Sequence, residues 1–188
     1  MKTLDTDRLH LRPVTLNDAA ALHQVVYSDQ EVCRFFCGQT RSLDEVRERM
    51  VYRSFQLRDS PLGFLAIVRK VDTALIGLVA LQFYIARWVR WEEAPDEPTA
   101  RIEVELSYAL GRDFWRHSYA AEACRAVIDY AFSDLRLPRI ANSVAGANTA
   151  SIALMRSLGF RLSMNQHPDH QTAIVGVLHN PVLSELAP

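Results

Sequence analysis

The chain has 188 residues and a mass of 21.3 kDa, which is near the common size of one domain. Its 21 Lys and Arg against 22 Asp and Glu give a formal net charge of -1, so no global positive field attracts nucleic acid or an anionic membrane. With 49% hydrophobic and 23% charged residues the composition is that of an ordinary globular protein, and we predict a single domain over residues 1–188.

Neither a secretory leader nor a membrane span is predicted. Residues 1–5 contain no apolar stretch after Lys2, which argues against a signal peptide. The longest apolar runs, such as Leu75–Leu81, fall far short of the roughly 20 residues that a membrane-spanning helix needs. We therefore expect a cytoplasmic protein that has no membrane partner and no nucleic-acid partner.

The three cysteines, Cys33, Cys37 and Cys124, form an odd set, which favours free thiols in a reducing compartment over a disulfide framework. Cys33 and Cys37 are four residues apart, and His167 and His170 follow far downstream. A metal site would be indicated by a second closely spaced Cys pair or by a His-x-x-x-His helix pattern, and the sequence has neither. No metal is predicted.

The first half of the chain predicts strands and helices in alternation. The expected elements are a strand over 8–13, a helix after Thr15, a helix after Ser42, and a hairpin formed by 62–68 and 75–85. Residues 8–13 alternate polar and apolar side chains, as a half-buried strand does. Thr15 and Ser42 are suitable N-caps, and Glu45 stands at the capping-box position of the second helix.

The segment between Ile85 and Ala100 is rich in charge and contains two prolines, so it is predicted to be a loop. Its Trp88 and Trp91 either touch a substrate or cover exposed core as a lid. The loop also carries an acidic run, composed of Glu92, Glu93, Asp96 and Glu97. This run either attracts a cationic partner or is merely solvated.

The second half predicts a strand, a long helix and a β-α-β-β ending. The expected elements are a strand over 101–110, a helix of about four or five turns from Ser118, a strand over 139–144, a helix from Asn148 to Leu158 and strands after Phe160. In the strand over 101–110, Ile102, Val104 and Leu106 fall on one face, and Glu103 and Glu105 on the other. The whole pattern is that of a mixed α/β layer fold.

The corner between the strand over 101–110 and the following helix suits a phosphate. Helix N-termini leave about four N–H groups unpaired and carry partial positive charge, so a pyrophosphate placed there is held by the backbone. Arg112, Arg116 and His117 add cationic side chains to this corner. A Rossmann-type oxidoreductase is excluded, because no G-x-G-x-x-G follows the first strand.

Three stretches resemble the GNAT superfamily of acetyl-CoA-dependent N-acetyltransferases, in its branch of ribosomal-protein alanine N-acetyltransferase-like enzymes. Residues 4–13 are similar to that branch's ET-x-RL-x-LRP. Residues 115–123 stand where family members have W-G-x-G-Y-A-T-E-A, with Arg116 and Ser118 in place of the two glycines. Residues 148–160 are similar to the family's N-x-x-S-x-x-x-x-x-x-L-G-F. The resemblance covers nearly the whole chain.

The resemblance implies a fold, a cofactor and a set of cofactor contacts. The fold is a central twisted, mixed but mostly antiparallel sheet of about seven strands flanked by about four helices. Acetyl-CoA is the acetyl donor, with Asn148 and Ser151 beside its pantetheine arm and its thioester. The implied cofactor contacts are Tyr108, Ala109, Leu110, Trp115, Arg116, His117, Ser118, Tyr119, Ala120, Ala121, Asn148 and Ser151. Ser118 either hydrogen-bonds a phosphate or caps the helix.

An amine attacks a thioester only when neutral, so a base must take its proton. Glu105 is the first choice, because it matches the Glu of the branch's E-x-G-Y, and Glu103 is the second; both could instead lie on a solvated face. Many superfamily members place a Tyr where this chain has Met155, so Ser151 is the candidate group that interacts with the leaving sulfur. Backbone N–H groups near Tyr108 and Ala109 suit the acetyl oxygen.

The sequence leaves three questions open. The acceptor is either a protein N-terminus or a small amine, and the fold does not choose between them. A non-catalytic acyl-CoA-binding module with the same fold is the alternative function, favoured by the replaced glycines and the missing Tyr. Exposed sheet edges make a homodimer plausible.

Overall fold

A computed structural model of the chain describes residues 1–57, 59–86, 101–167, 170 and 172–184. The strands are β1 Leu4–Asp5, β2 Leu9–Pro13, β3 Gly63–Arg69, β4 Leu75–Ala86, β5 Arg101–Leu110, β6 Arg139–Ala145, β7 Arg161–Met164 and β8 Ala173–His179. The helices are α1 Ala19–Leu22, α2 Gln30–Phe36, α3 Leu43–Gln56, α4 Tyr119–Asp129, α5 Thr149–Ser157 and α6 Pro181–Ser184. A 3-10 turn precedes α1, and π-helical segments follow α1 and α4.

The strands form one eight-stranded sheet in the order β1-β2-β3-β4-β5-β6-β8-β7. Of the strand pairs whose register is defined in the described residues, all are antiparallel except β5 with β6. The predicted mixed α/β, mostly antiparallel fold is therefore confirmed. The sheet has eight strands where about seven were expected, and the two-residue β1 is a strand that the sequence did not predict.

The elements that patterning predicts most directly are confirmed. β3 and β4 form the expected hairpin, with Gly63 opposite Leu81. The capping box of α3 is present, since Ser42 N–H donates to the Glu45 carboxylate at 2.7 Å and Glu45 N–H donates to Ser42 Oγ at 3.3 Å. The helix predicted after Thr15 is instead a sequence of 3-10, α and π turns, and α2 and α6 were not predicted.

The chain divides into two compact units that interleave along the sequence. Unit 1 is Met1–Leu81 with Ser107–Val127, and unit 2 is Gln82–Leu106 with Ile128–Pro188. The core of unit 1 forms where helices cover strands, and its buried members include Ala19, Leu22, Val26, Tyr27, Val46, Leu78 and Ala109. The core of unit 2 includes Ile140, Met155, Phe160, Val175 and Val177, each less than one-tenth exposed.

Two of the three thiols lie in the core. Cys33 and Cys124 are fully buried, and burial raises the pKa of both, to about 12 for Cys33. All three cysteines are free. Such thiols carry almost no thiolate at neutral pH, so Cys33 and Cys124 serve packing rather than nucleophilic chemistry.

Several expectations concern residues that lie outside the described ranges. Trp88, Trp91 and the acidic run of residues 92–97 belong to this group, so their predicted contacts remain predictions. None of the helices in the described ranges combines the length and apolarity needed to cross a membrane. The same ranges contain no cluster of three or more His, Cys, Asp or Glu side chains arranged to hold a metal ion.

Candidate functional site

The first turn of α4 is tied to the chain segment that leads into β2. Glu122 Oε1 accepts hydrogen bonds from Thr6 Oγ1 at 2.6 Å and from Arg8 N–H at 2.9 Å. Its other oxygen accepts from Arg8 Nε at 2.7 Å, and the Arg8 Nη2 nitrogen lies 2.6 Å from the same oxygen. This contact therefore joins the stretch that resembles ET-x-RL to the stretch that resembles Y-A-T-E-A.

The Glu122 carboxyl is held in its charged form. Burial by itself raises the pKa of Glu122, because the side chain is only 17% exposed. The hydrogen bonds from Thr6 and Arg8, together with the Arg8 charge, outweigh burial and bring the pKa below its ordinary value. The network therefore stabilises the folded state at neutral pH.

Arg8 also reaches the loop that precedes α4. Its Nη1 donates to the His117 carbonyl oxygen at 3.1 Å, and its guanidinium carbon lies 4.6 Å from the centroid of the Tyr119 ring. The His117 and Tyr119 rings stack at 5.7 Å with an interplanar angle of 16°. On the other side of the loop, Trp115 Nε1 donates to the Leu110 carbonyl oxygen at 2.8 Å. Both ends of the loop are thus fixed by side chains.

Arg116 and Ser118 have left-handed backbone conformations, each with φ near +62°. Such a conformation costs a non-glycine residue on the order of 1 kcal/mol or more. Neither residue is a glycine, the residue type that adopts this conformation without steric cost. The contacts of Arg8 and Trp115 are the observed features that hold the loop in this strained form.

The loop and helix start leave backbone donors on an exposed surface. Arg116, His117 and Ser118 are exposed, and the Ser118 carbonyl oxygen accepts from Glu122 N–H at 3.0 Å. The first turn of α4 begins with Tyr119, Ala120 and Ala121. The N–H groups at the start of a helix have no carbonyl acceptor within the helix itself. An anion placed there meets backbone N–H groups and the positive end of the helix dipole.

Arg112 contributes less to this corner than the sequence suggests. Its Nε lies 3.0 Å from Asp29 Oδ2, at the N-cap of α2. The Arg112 charge is therefore partly neutralised by a carboxylate of the same unit. Arg116 and His117 remain the predicted cationic side chains of the loop.

The two β5 carboxylates of unit 2 have different surroundings. Glu103 is 5% exposed, and both its oxygens accept from the guanidinium of Arg139 on β6. Glu105 is half-buried and accepts from Gln82 Nε2 at 2.7 Å. Ile102 is 75% exposed, so Glu103 lies on the more buried side of the strand at this level. A solvated face at Glu103, which alternation left open, is ruled out.

The pairing of β5 with β6 involves a side chain that sequence reasoning missed. Glu105 pairs with Ala141 in parallel register, and one residue further Asn142 Nδ2 donates to the Leu106 carbonyl oxygen at 2.6 Å. Asn142 is 8% exposed, within an otherwise largely apolar strand. A polar residue in such a strand was the available signal. Its amide therefore adds a side-chain hydrogen bond between β6 and β5 next to the Glu105–Ala141 pair.

The start of α5 combines capping with the predicted site residues. Asn148 is the N-cap, and its side-chain oxygen accepts from Ser151 N–H at 3.1 Å. The cap uses only the oxygen, and the side-chain NH2 of Asn148 is a separate donor group. Gly159 follows the helix with φ +89°, as expected of a left-handed C-cap. Met155 is fully buried, so it belongs to the core of unit 2.

The candidate residues are distributed between the two units. Unit 1 holds Tyr108, Ala109, Leu110, Trp115, Arg116, His117, Ser118, Tyr119, Ala120 and Ala121, and unit 2 holds Glu103, Glu105, Asn148 and Ser151. Within unit 1 the structure brings Leu110, Trp115, His117 and Tyr119 together through the contacts given above. Ala109 and Leu110 are each 6% exposed, so their side chains belong to the core.

Comparisons with known proteins identify the family of this chain. A family model described as "Acetyltransferase (GNAT) domain" matches residues 8–161, a range that includes the corner before α4 and the whole of the stretch over 148–160. A protein of Bacillus licheniformis named "Uncharacterized N-acetyltransferase p20" is 32% identical over 166 residues, which are 86% of this chain and 83% of that protein.

Two solved structures share the fold. Ribosomal-protein-S5-alanine acetyltransferase from Vibrio fischeri superposes with a TM-score of 0.71 at 13% identity, covering 95% of this chain and 97% of that one. RimL, described as a ribosomal L7/L12 α-N-protein acetyltransferase in complex with coenzyme A, superposes with a TM-score of 0.73 at 14% identity, covering 94% and 97%. The resemblance predicted from the motifs is confirmed.

Replacing the Glu122 carboxylate tests the contact between α4 and the segment before β2. We expect Glu122→Gln to lower the free energy of unfolding by about 1–3 kcal/mol at pH 7, because charged hydrogen bonds from Thr6 and Arg8 are lost. The folded-state pKa is depressed, so the advantage of Glu over Gln is full above the unfolded-state pKa of about 4.3. It is lost as the pH falls through the lower folded-state pKa.

Urea unfolding of the wild type and Glu122→Gln between neutral and acid pH measures this difference. Glu48→Gln on the exposed face of α3 is the matched control, and we expect it to change stability little at any pH. A Glu122→Gln difference that stayed constant down to acid pH would contradict the account.

Restoring glycine at the left-handed positions tests the backbone strain. We expect Ser118→Gly and Arg116→Gly each to raise the free energy of unfolding by about 0.5–1 kcal/mol, since relief of strain exceeds the entropic cost of glycine. Ser28→Gly, at an exposed residue with φ -89°, is the control and should destabilise. If Ser118→Gly destabilised as Ser28→Gly does, the left-handed assignment would be wrong.

Proposed function

We propose that this chain transfers the acetyl group of acetyl-CoA to a primary amine by direct attack in a ternary complex. The chain belongs to the acetyltransferase (GNAT) family and is an acetyl-CoA-dependent acetyltransferase. The observation that carries the proposal is the left-handed backbone of Arg116 and Ser118 immediately before α4. These residues stand where the family pattern has glycines, and their left-handed backbone supports the same use of the loop. Strained backbone of this kind is found more often at ligand-binding sites than elsewhere, which supports a ligand at this loop.

The proposed cofactor site uses backbone donors first. The pyrophosphate of acetyl-CoA would accept from N–H groups of the loop and of Tyr119, Ala120 and Ala121 at the start of α4. Arg116 would add positive charge from the exposed loop, and His117 would add a polar side chain. Asn148, whose oxygen caps α5, would use its side-chain NH2 toward the pantetheine arm.

We propose Glu105 as the general base. A primary amine is largely protonated at pH 7, and only its neutral form has the lone pair that attacks the thioester carbonyl. The Glu105 carboxylate is half-buried and accepts a hydrogen bond from the Gln82 amide, which supports a role in accepting that proton directly or through a water. Glu103 is the weaker choice, because the Arg139 guanidinium occupies both its oxygens.

The remaining steps need one hydrogen-bond donor at the acetyl oxygen and one at the sulfur of coenzyme A. Attack forms the C–N bond and places negative charge on the acetyl oxygen, which backbone N–H groups near Tyr108 and Ala109 would stabilise. Collapse breaks the C–S bond and releases the coenzyme A thiolate, and the hydroxyl of Ser151 is proposed to hydrogen-bond that sulfur or a water beside it. Met155 is buried and supplies no proton.

The acceptor is proposed to be an amine, and its class is proposed from proteins with a similar fold. The fold resemblance to two ribosomal-protein acetyltransferases supports a protein N-terminal α-amine, and small amines are the other group to be tested. We further propose that residues 1–188 act as one domain in the cytoplasm, supported by the free thiols of Cys33, Cys37 and Cys124. β1 and β7 are the edges of the sheet, and either edge could serve a homodimer.

Release of free thiol from acetyl-CoA, followed with a panel of N-terminal peptides and small amines, tests the reaction. We expect Glu105→Gln to lower kcat/KM by roughly 100- to 10,000-fold, because a general base contributes about that much. Binding of acetyl-CoA should change less than about twofold, since Glu105 is not proposed to touch the cofactor's phosphates.

Glu103→Gln is the matched control on the same strand. We expect it to lower the Tm, because it weakens a buried ion pair, and to leave kcat/KM of the folded protein nearly unchanged. Acetyl-CoA binding without thiol release toward any amine would favour the non-catalytic binding module. Full activity of Glu105→Gln would remove Glu105 from the mechanism.

A further inference from the structure

Unit 1 contains a cavity of about 360 Å³ on the inward face of α3. This volume lies within the range of pockets that take small organic ligands. Its apolar walls come from the end of β2 and the turn after it, from α1, and from the segment at the start of β3; they include Val14, Leu16, Leu22, Leu62 and Phe64. None of the residues proposed for acetyl transfer lines it.

Two arginines stand on the face of α3 that lines this cavity. An amphipathic helix normally presents apolar residues inward, as Val46 and Met50 do here. Arg49 and Arg53 lie one turn apart on the same face and also line the cavity. The Arg53 guanidinium carbon lies 4.0 Å from the centroid of the Phe64 ring, so this charge rests on an aromatic face.

The Arg49 guanidinium carries an unsatisfied donor. Its Nε is buried and has no hydrogen-bond partner in the part of the chain that the structure describes. A buried N–H without an acceptor is costly, so native structures usually supply one. An acceptor brought by a ligand would remove that cost.

Tyr27 adds a phenol to the same space. The residue is 4% exposed and lines the cavity. Burial raises the pKa of Tyr27, and the positive charges of Arg53 and Arg49 partly oppose that rise.

We propose that this cavity binds a small organic carboxylate with an apolar body of about the size of one aromatic ring. A carboxylate accepts two parallel hydrogen bonds from a guanidinium, and a side-on approach to Arg49 would satisfy its Nε after a small rotation of that long side chain. A neutral apolar ligand would leave the donor unsatisfied. A dianion such as phosphate would lose its hydration against walls that are mostly apolar.

The site goes beyond acetyl transfer, because it needs neither acetyl-CoA nor an amine. It is tested by calorimetric titration of the full-length protein, without acetyl-CoA, using 3-phenylpropionate and its neutral amide, 3-phenylpropionamide. We expect the carboxylate to bind and the amide to bind at least about tenfold more weakly, because only the carboxylate carries the charge that Arg49 complements.

Variants of two arginines on α3 test which guanidinium group binds the carboxylate. We expect Arg49→Gln to weaken 3-phenylpropionate binding roughly 10- to 100-fold. Arg47→Gln is the matched control, since Arg47 is exposed and pairs with Asp44, and it should bind as the wild type does. Arg49→Gln should retain its affinity for acetyl-CoA, which separates this site from the cofactor site.

Three results would overturn the proposal: no binding of the carboxylate, equal binding of acid and amide, or equal losses in Arg49→Gln and Arg47→Gln. If Arg49→Gln failed to fold, the comparison of acid with amide on the wild type would still decide. Failure of this site would leave the acetyltransferase proposal intact, because that proposal uses none of these residues.

Discussion

The ion pair between Glu122 and Arg8 is the contact on which the candidate cofactor corner depends. It joins the first turn of α4 to the segment entering β2, and Thr6 adds a third donor to the same carboxylate. Because Arg8 also binds the His117 carbonyl oxygen, one side chain connects the helix, the loop and the sheet of unit 1. Strained backbone persists only where its surroundings over-determine it, and this network provides that restraint for Arg116 and Ser118.

The two carboxylates of β5 have different partners, and Glu105 is the one proposed to act in the reaction. Glu103 and Glu105 share a face, since they are two residues apart in a strand. Arg139 neutralises the buried Glu103, whereas Glu105 accepts a hydrogen bond from the amide of Gln82. One residue beyond Glu105, the side chain of Asn142 binds the Leu106 carbonyl oxygen, so a side-chain hydrogen bond joins β6 to β5 beside the proposed base.

Local patterns in the sequence predicted most elements and the positions of the motifs, because alternation, capping residues and helix spacing act over a few residues. The capping box of Ser42 and the cap at Asn148 are examples. Alternation in β5 separated its two faces but not which one is covered, since Arg139, distant in sequence, covers Glu103. The left-handed conformations at Arg116 and Ser118 were equally hidden, because they depend on tertiary contacts rather than on residue type.

Calorimetric titration of the purified wild-type protein with acetyl-CoA tests the central claim most directly. We expect saturable binding, one acetyl-CoA per chain, with a micromolar Kd, because backbone N–H groups at the start of α4 are proposed to hold the pyrophosphate. Absence of detectable binding would contradict this expectation and would mean that the side chains at 116 and 118 close the corner to the pyrophosphate.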